Sequence, residues 1–266
     1  MGILFFDIDD TLFSHQTFTI PESTHEALVR ARANGHHLVL ASGRGHSGIV
    51  DLYDDTLFEG AVCCSGGCVF WNDELIIDHP IPQDKAAYLI QLAEQYESGI
   101  SVQGKLESWQ NNKVMEVMRR VLPKSALKKR MHIQPLSQRQ GQPIYKVDYF
   151  FPDLEHAQAL LAKLPEDLNI CVFPDAIGKG SGCEVSANGV SKGSGITELL
   201  NWLGIDRSDS YAFGDSENDI EMLKSCGTGI AMGNGVQAIK DCADYITSSV
   251  DDNGIWNAMK HFGLIE

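Results

Sequence analysis

Four consecutive apolar residues, Ile3-Leu4-Phe5-Phe6, run without transition into Asp7-Ile8-Asp9-Asp10-Thr11. An unbroken apolar run of this length predicts a strand buried on both faces. Pro21 and Glu22 open a helical pattern through Ala27, Leu28 and Ala31, stopped by Asn34-Gly35. His37-Leu38-Val39-Leu40-Ala41 reads as a second strand ending at Ser42-Gly43. A helix through Ile49, Val50 and Leu52 is expected next, then a strand over Ala61-Val62-Cys63-Cys64. Strand and helix in alternation predict a parallel sheet with helices on both faces.

The rhythm then changes. Cys68–Trp71 and Glu74–Ile77 flank Asn72-Asp73 and predict a hairpin. Pro80 and Pro82 mark a boundary. Residues 84–97, 111–122 and 153–164 read as helices, and 143–151 and 168–173 as extended. After Gly189 the first rhythm returns. Helices are expected from Lys192 through Leu200, over Ile220–Lys224 and around Ile255–Met259, with strands at Tyr211–Phe213 and Gly229–Met232. The predicted fold is a discontinuous, Rossmann-like parallel α/β core from 1–81 and 188–266, with an inserted α+β domain over 82–187.

Charge narrows the partners. Acidic residues number 36 and basic residues 21, a formal net charge of −15. That balance argues against nucleic acid and anionic membranes, whose phosphates demand a basic face. A small phosphorylated molecule needs only a local positive site. The one basic run is Lys124–Arg130, read as a solvated surface. No apolar stretch approaches the ~20 residues of a membrane span, and the first residues carry no basic leader pattern. Seven cysteines, an odd number, lack zinc-site spacing and suggest free thiols in a reducing, cytoplasmic setting.

Ligands of open α/β sheets bind outside the carboxyl ends of the strands. Three predicted strand ends carry polar residues there: Asp7, Asp9, Asp10 and Thr11; Ser42 and Gly43; and Gly214, Asp215, Ser216, Asn218 and Asp219. If these ends converge, Asp7, Asp9 and Asp215 crowd together and need protons or a cation. All-oxygen ligands favour Mg2+, which bridges readily to phosphate. A carboxylate beside such a cation can act as a nucleophile. Asp9, two residues on, is placed to protonate a leaving oxygen and then deprotonate water. Ser42, nearby backbone N–H groups and Lys192 are candidates to hold phosphoryl oxygens.

Four segments together resemble the haloacid dehalogenase superfamily of phosphohydrolases. They are Phe6-Asp7-Ile8-Asp9-Asp10-Thr11-Leu12, Leu40-Ala41-Ser42-Gly43-Arg44, Val190-Ser191-Lys192-Gly193, and Gly214-Asp215-Ser216-Glu217-Asn218-Asp219 with the following Ile220–Leu223 and Ala231–Asn234. The last segment and the large insertion resemble the Cof-type subfamily, whose mixed α/β cap lies between the second and third motifs. The resemblance implies a Mg2+-dependent phosphatase in which Asp7 is nucleophile and Asp9 general acid/base. It implies Mg2+ held by Asp7, the Asp9 carbonyl and Asp215, with Asp219 behind them. It implies phosphate contacts from Ser42, Gly43, Lys192 and Asn218, assisted by the Ile8 backbone and Thr11. The expected partner is a small phosphorylated metabolite, with sugar phosphates as the candidate class. A monomer or small homo-oligomer is expected, and the cap domain is expected to hold specificity. A phosphomutase or phosphotransferase of the same architecture is the alternative, and a non-catalytic sugar-phosphate-binding regulator a further one. Asp10 stands where many relatives have Gly, and Ser65-Gly66-Gly67 where relatives often have Asn-Gly-Ala; neither carries an assigned role.

Overall fold

The first strand is buried along its whole length because both its faces are covered. The computed structural model describes residues 2–49, 57–121, 133–173 and 182–266. The chain divides into two units: Met1–Gly43, Asp51–Asp78 and Ser191–Glu266, and Arg44–Val50 with His79–Val190.

The first unit is built on an eight-stranded sheet. Its strands are β1 (Ile3–Phe6), β2 (His37–Ala41), β3 (Gly60–Cys63), β4 (Cys68–Trp71), β5 (Glu74–Asp78), β12 (Ser210–Gly214), β13 (Thr228–Ala231) and β14 (Tyr245–Ile246). They lie in the order β14-β13-β12-β1-β2-β3-β4-β5. All pairings from β14 to β3 are parallel, and the β4–β5 hairpin adds an antiparallel edge. Its turn residues Asn72 and Asp73 both have positive φ, 46° and 64°, the conformation a tight two-residue hairpin requires. Ile3 and Phe5 pack with Ile196 and Leu199 of α5 (Lys192–Leu203), Met222 and Leu223 of α6 (Ile220–Ser225) and Ile239 of α7 (Gln237–Cys242). By the two-residue alternation of a strand, Leu4 and Phe6 face the other side. Helices α1 (Glu22–Ala33) and α8 (Gly254–His261) pack against each other.

The second unit carries a six-stranded sheet in the order β10-β11-β9-β6-β7-β8. These are β6 (Gly99–Gln103), β7 (Ser108–Gln110), β8 (Gln134–Pro135), β9 (Lys146–Phe150), β10 (Leu168–Phe173) and β11 (Gly182–Ala187). Helices α2 (Gln83–Gln95), α3 (Asn112–Val121) and α4 (Leu154–Leu161) complete it. Leu89, Leu92, Ala157 and Leu160 bury one sheet face with Val102, Val147, Tyr149 and Val185. The alternate residues are polar. Lys146 is buried between Asp148 Oδ1 at 2.9 Å and Glu184 Oε1 at 2.7 Å. Gln103 Nε2 donates to Asp148 Oδ2 at 3.1 Å.

Several expected elements change. Residue 64 leaves the strand, because Cys64 and Ser65 take positive φ in a tight turn. Strands β6, β7, β8 and β11, helix α7 and strand β14 were not expected from the periodicity. The helix proposed through Ile49, Val50 and Leu52 falls largely outside the described residues; just before them a short 3-10 turn spans His46–Gly48. The basic run Lys124–Arg130 also lies outside them.

Candidate active site

The parallel pairing of β1 with β12 sets Phe6 opposite Phe213, with their rings stacked at 4.8 Å. Asp7 N donates to Phe213 O at 2.9 Å, so Asp7 and Asp215 leave neighbouring strands at the same edge. One carboxylate oxygen each from Asp7, Asp215 and Asp219 lies within 4.8 Å of the others.

Lys192 enters from the first position of α5. Ser191 caps that helix, its side chain accepting from Ser194 N while Ser194 Oγ accepts from Ser191 N. The lysine is buried, and its Nζ bonds Asp7 Oδ1 at 2.6 Å and Asp219 Oδ1 at 2.5 Å. Burial alone would lower its pKa; Asp219 and Asp7 outweigh that and hold it above the ordinary lysine range.

Asp219 is fully enclosed. Its Oδ1 receives Lys192, and its Oδ2 receives Asp215 N and Ser216 N at 3.1 Å and Ser216 Oγ at 3.2 Å. With both oxygens engaged, it serves as a brace for the Asp215 loop. Asp215 Oδ1 accepts from Thr11 Oγ1 at 3.3 Å, and Thr11 is buried. Among the described residues, the second oxygens of Asp7 and Asp215 accept no hydrogen bond.

The electrostatics fit a cation. Burial, then Asp219, raise the Asp7 carboxyl well above the usual range, with Lys192 opposing them. Burial, then Asp219 and Asp10, push Asp215 up to about 7. Fully ionised, three carboxylates against one ammonium would leave two negative charges, the charge of one divalent ion. The buried lysine link does not fill that seat, since it engages one oxygen of Asp7 and none of Asp215. Hard oxygen donors in this number suit Mg2+ with retained waters.

The other expected residues lie as follows. Ser42 is buried, its N–H donates to Val62 O at 2.8 Å, and its carbonyl accepts from Ser65 N at 3.0 Å. Gly43 follows at the same β2 end. Ile8 is buried and begins a one-turn coil, its carbonyl accepting from Leu12 N and Phe13 N at 3.0 and 2.8 Å. Asn218 Oδ1 accepts from Ser216 Oγ at 2.7 Å. Asp9 is partly exposed, and its carboxylate is not in the three-carboxylate cluster. Its Oδ1 instead lies 3.3 Å from His15 Nε2.

Three contacts had no counterpart in the sequence reading. Gly66 has φ +98°, and a Cβ there would sit 2.0 Å from Ser191 O, so only glycine admits the approach of this turn to the start of α5. Asn234 Nδ2 donates to the Asp10 carbonyl at 2.8 Å. Asp10 itself has φ +58°, the left-handed region that a glycine would occupy freely. Its side chain compensates by accepting from His15 N at 2.9 Å. The signal was present as the Asp10 departure, but its partner His15 was invisible without the fold.

Comparison with known proteins bears on the family and the fold. Residues 4–259 match the haloacid dehalogenase-like hydrolase family. YkrA of Bacillus subtilis (strain 168) is 28% identical over 274 residues, covering 99% of this chain and 98% of its own. The pyridoxal phosphate phosphatase YbhA of Escherichia coli (strain K12) is 27% identical over 258 residues, covering 92% of each. A solved sugar phosphatase of subclass IIB in that superfamily aligns over 100% of both chains, with 29% identity and a TM-score of 0.81. With its family pattern spanning nearly the whole chain and its carboxylates gathered at one sheet edge, the protein belongs to the haloacid dehalogenase-like hydrolases.

Proposed function

We propose that this enzyme hydrolyses small phosphate monoesters, with Mg2+ as cofactor and Asp7 as the covalent nucleophile. The observation that carries the reading is the gathering of the Asp7, Asp215 and Asp219 carboxylates at one edge beside buried Lys192. Mg2+ held by Asp7, the Asp9 carbonyl and Asp215 supplies charge screening between an anionic nucleophile and an anionic substrate.

The chain's own groups account for the rest. A carboxylate oxygen of Asp7 attacks phosphorus, the bond from phosphorus to the leaving oxygen breaks, and the electron pair goes to that oxygen. The Asp9 carboxyl gives it a proton. The Asp9 carboxylate then takes a proton from water, whose oxygen attacks the phosphorus of the acyl phosphate. The bond to Asp7 breaks, and inorganic phosphate leaves. Ser42, Gly43, Lys192, Asn218, Thr11 and the Ile8 backbone are the proposed phosphoryl contacts. Lys192 also favours the anionic form of Asp7 against burial and Asp219, and Asp219 keeps Lys192 in place.

The first unit is read as the catalytic core and the second as the cap that recognises the leaving group. Its polar sheet face, with Gln103, Lys146, Asp148 and Glu184, offers donors and acceptors suited to hydroxyl groups. That face and the sugar phosphatase relative support sugar phosphates as the substrate class. All seven cysteines are free thiols, in keeping with a reducing, cytoplasmic setting, and among the described residues no helix is long and apolar enough to cross a membrane.

The test is release of inorganic phosphate from 4-nitrophenyl phosphate and a panel of sugar phosphates, with and without Mg2+. Wild type should turn over only with the metal, reversibly after chelation. Asp7→Asn should lose at least ~1000-fold in kcat, since the nucleophile is gone. Substantial turnover by that variant refutes the assignment. Isomerisation of a sugar phosphate without phosphate release would identify a mutase instead.

A further inference from the structure

We propose that His15 is a positioning residue for the Asp9 carboxyl, itself anchored by Asp10. The inference rests on the hydrolytic reading above. The coil after β1 returns on itself: Asp10 N donates to Phe13 O at 2.7 Å, and Ser14 pairs with Thr19. That return brings the His15 ring over the acidic segment. Nε2 lies 3.3 Å from Asp9 Oδ1, and Nδ1 lies 3.1 Å from Asp10 Oδ2. The backbone N–H of His15 donates to the other Asp10 oxygen at 2.9 Å. The Phe13 ring meets the imidazole edge-on at 5.6 Å. Asp10 is fixed in turn by Asn234 on its carbonyl.

Each link has a consequence for Asp9. Asp9 is more than a third exposed, and contact with a clamped ring restricts the rotation of an exposed carboxylate about χ1 and χ2. A ring clamped through Nδ1 and the main chain presents Nε2 along one direction. Contact through Oδ1 thereby sets the direction in which the Asp9 carboxyl is presented. Here the non-glycine residue at position 10 acquires a use. Its side chain satisfies the left-handed backbone and orients the histidine with the same carboxylate.

A residue that aims the proton donor matters most when the leaving oxygen is basic. In the first step the bond to that oxygen breaks with the electron pair on oxygen, and the Asp9 proton neutralises it. Nitrophenolate leaves well without this help, whereas phenolate needs it. The experiment measures kcat/KM for phenyl phosphate and 4-nitrophenyl phosphate at saturating Mg2+. It compares wild type, His15→Ala, His15→Gln, Asp10→Gly and the His15→Ala/Asp10→Gly double variant. His15→Ala should lose about fivefold on phenyl phosphate, the scale of an exposed charged contact, and less than about twofold on 4-nitrophenyl phosphate. Asp10→Gly, which suits the backbone at this position, should reproduce that selective loss. The double variant should lose no more than either single one. His15→Gln, which can still place an N–H on Asp9, should recover much of the phenyl phosphate rate. Equal losses on both esters, additive losses in the double variant, or no loss at all would overturn the positioning role. A wild type inactive on both esters would overturn the hydrolytic reading, and this inference with it.

Discussion

Asp215→Asn removes one negative charge from the cluster while preserving the shape of the side chain. The amide oxygen can still accept from Thr11 Oγ1, which reaches the native carboxylate at 3.3 Å. In metal-free protein, burial first and Asp219 and Asp10 next push the Asp215 carboxyl from 3.8 up to about 7. The sign follows from proton counting. Between those values the folded state keeps a proton that the unfolded chain has released, so stability falls as pH rises across the window. The contribution is intact below the unfolded value and lost above the folded one. At ~1.36 kcal/mol per pH unit the ceiling is about 4 kcal/mol at pH 8, and residual water and side-chain relaxation reduce it to about 2 kcal/mol. Urea unfolding in a chelator, at pH 5 and pH 8, reads the effect directly. Only the part of the window above pH 5 is sampled, so wild type should lose about 1 kcal/mol more than the variant between the two, leaving the variant the more stable protein at pH 8. Mg2+ at pH 8 should then raise the wild-type midpoint and move the variant's much less. A variant less stable than wild type at pH 8 without metal, or an equal Mg2+ response in both, would refute the charge-cluster reasoning.

Lys192→Met should destabilise the protein by about 3–5 kcal/mol, because Asp7 and Asp219 would keep buried charge without their shared partner; a wild-type urea midpoint would show that the link contributes little. Gly66→Ala must displace the Ser191 carbonyl or distort its own backbone. A loss of about 1–3 kcal/mol is expected, with lower phosphatase activity as α5 shifts. Thermal melting and 4-nitrophenyl phosphate turnover check it, and unchanged values in both would refute the steric account.

The regular parts of the first unit were readable from local pattern. β1, α1 and β2 appear where continuous apolar runs and breaker residues place them. The second unit was less legible. β6 and β7 carry serine and glutamine on one face, so their apolar signal is halved and short. β11 hides its pattern behind Gly182, Glu184 and Ser186. Helix α7 has six residues, too few to establish a period.

At the site, the residues of the three-carboxylate cluster were visible as polar clusters ending apolar runs, because buried strands tolerate such ends only at a used edge. The sequence alone also supplied the groups available there: oxygen donors, carboxylates able to act as nucleophiles, a lysine. Only the tertiary structure decided how these groups pair. The register of β1 against β12 brings Asp7 beside Asp215 across 208 positions of chain, and the start of α5 inserts Lys192 between Asp7 and Asp219. His15 and Gly66 take their importance from atoms far along the chain or across a turn. Local composition encodes what a segment can form, whereas ion pairing and steric fit depend on distances of a few ångströms, which exist only once the chain has closed on itself.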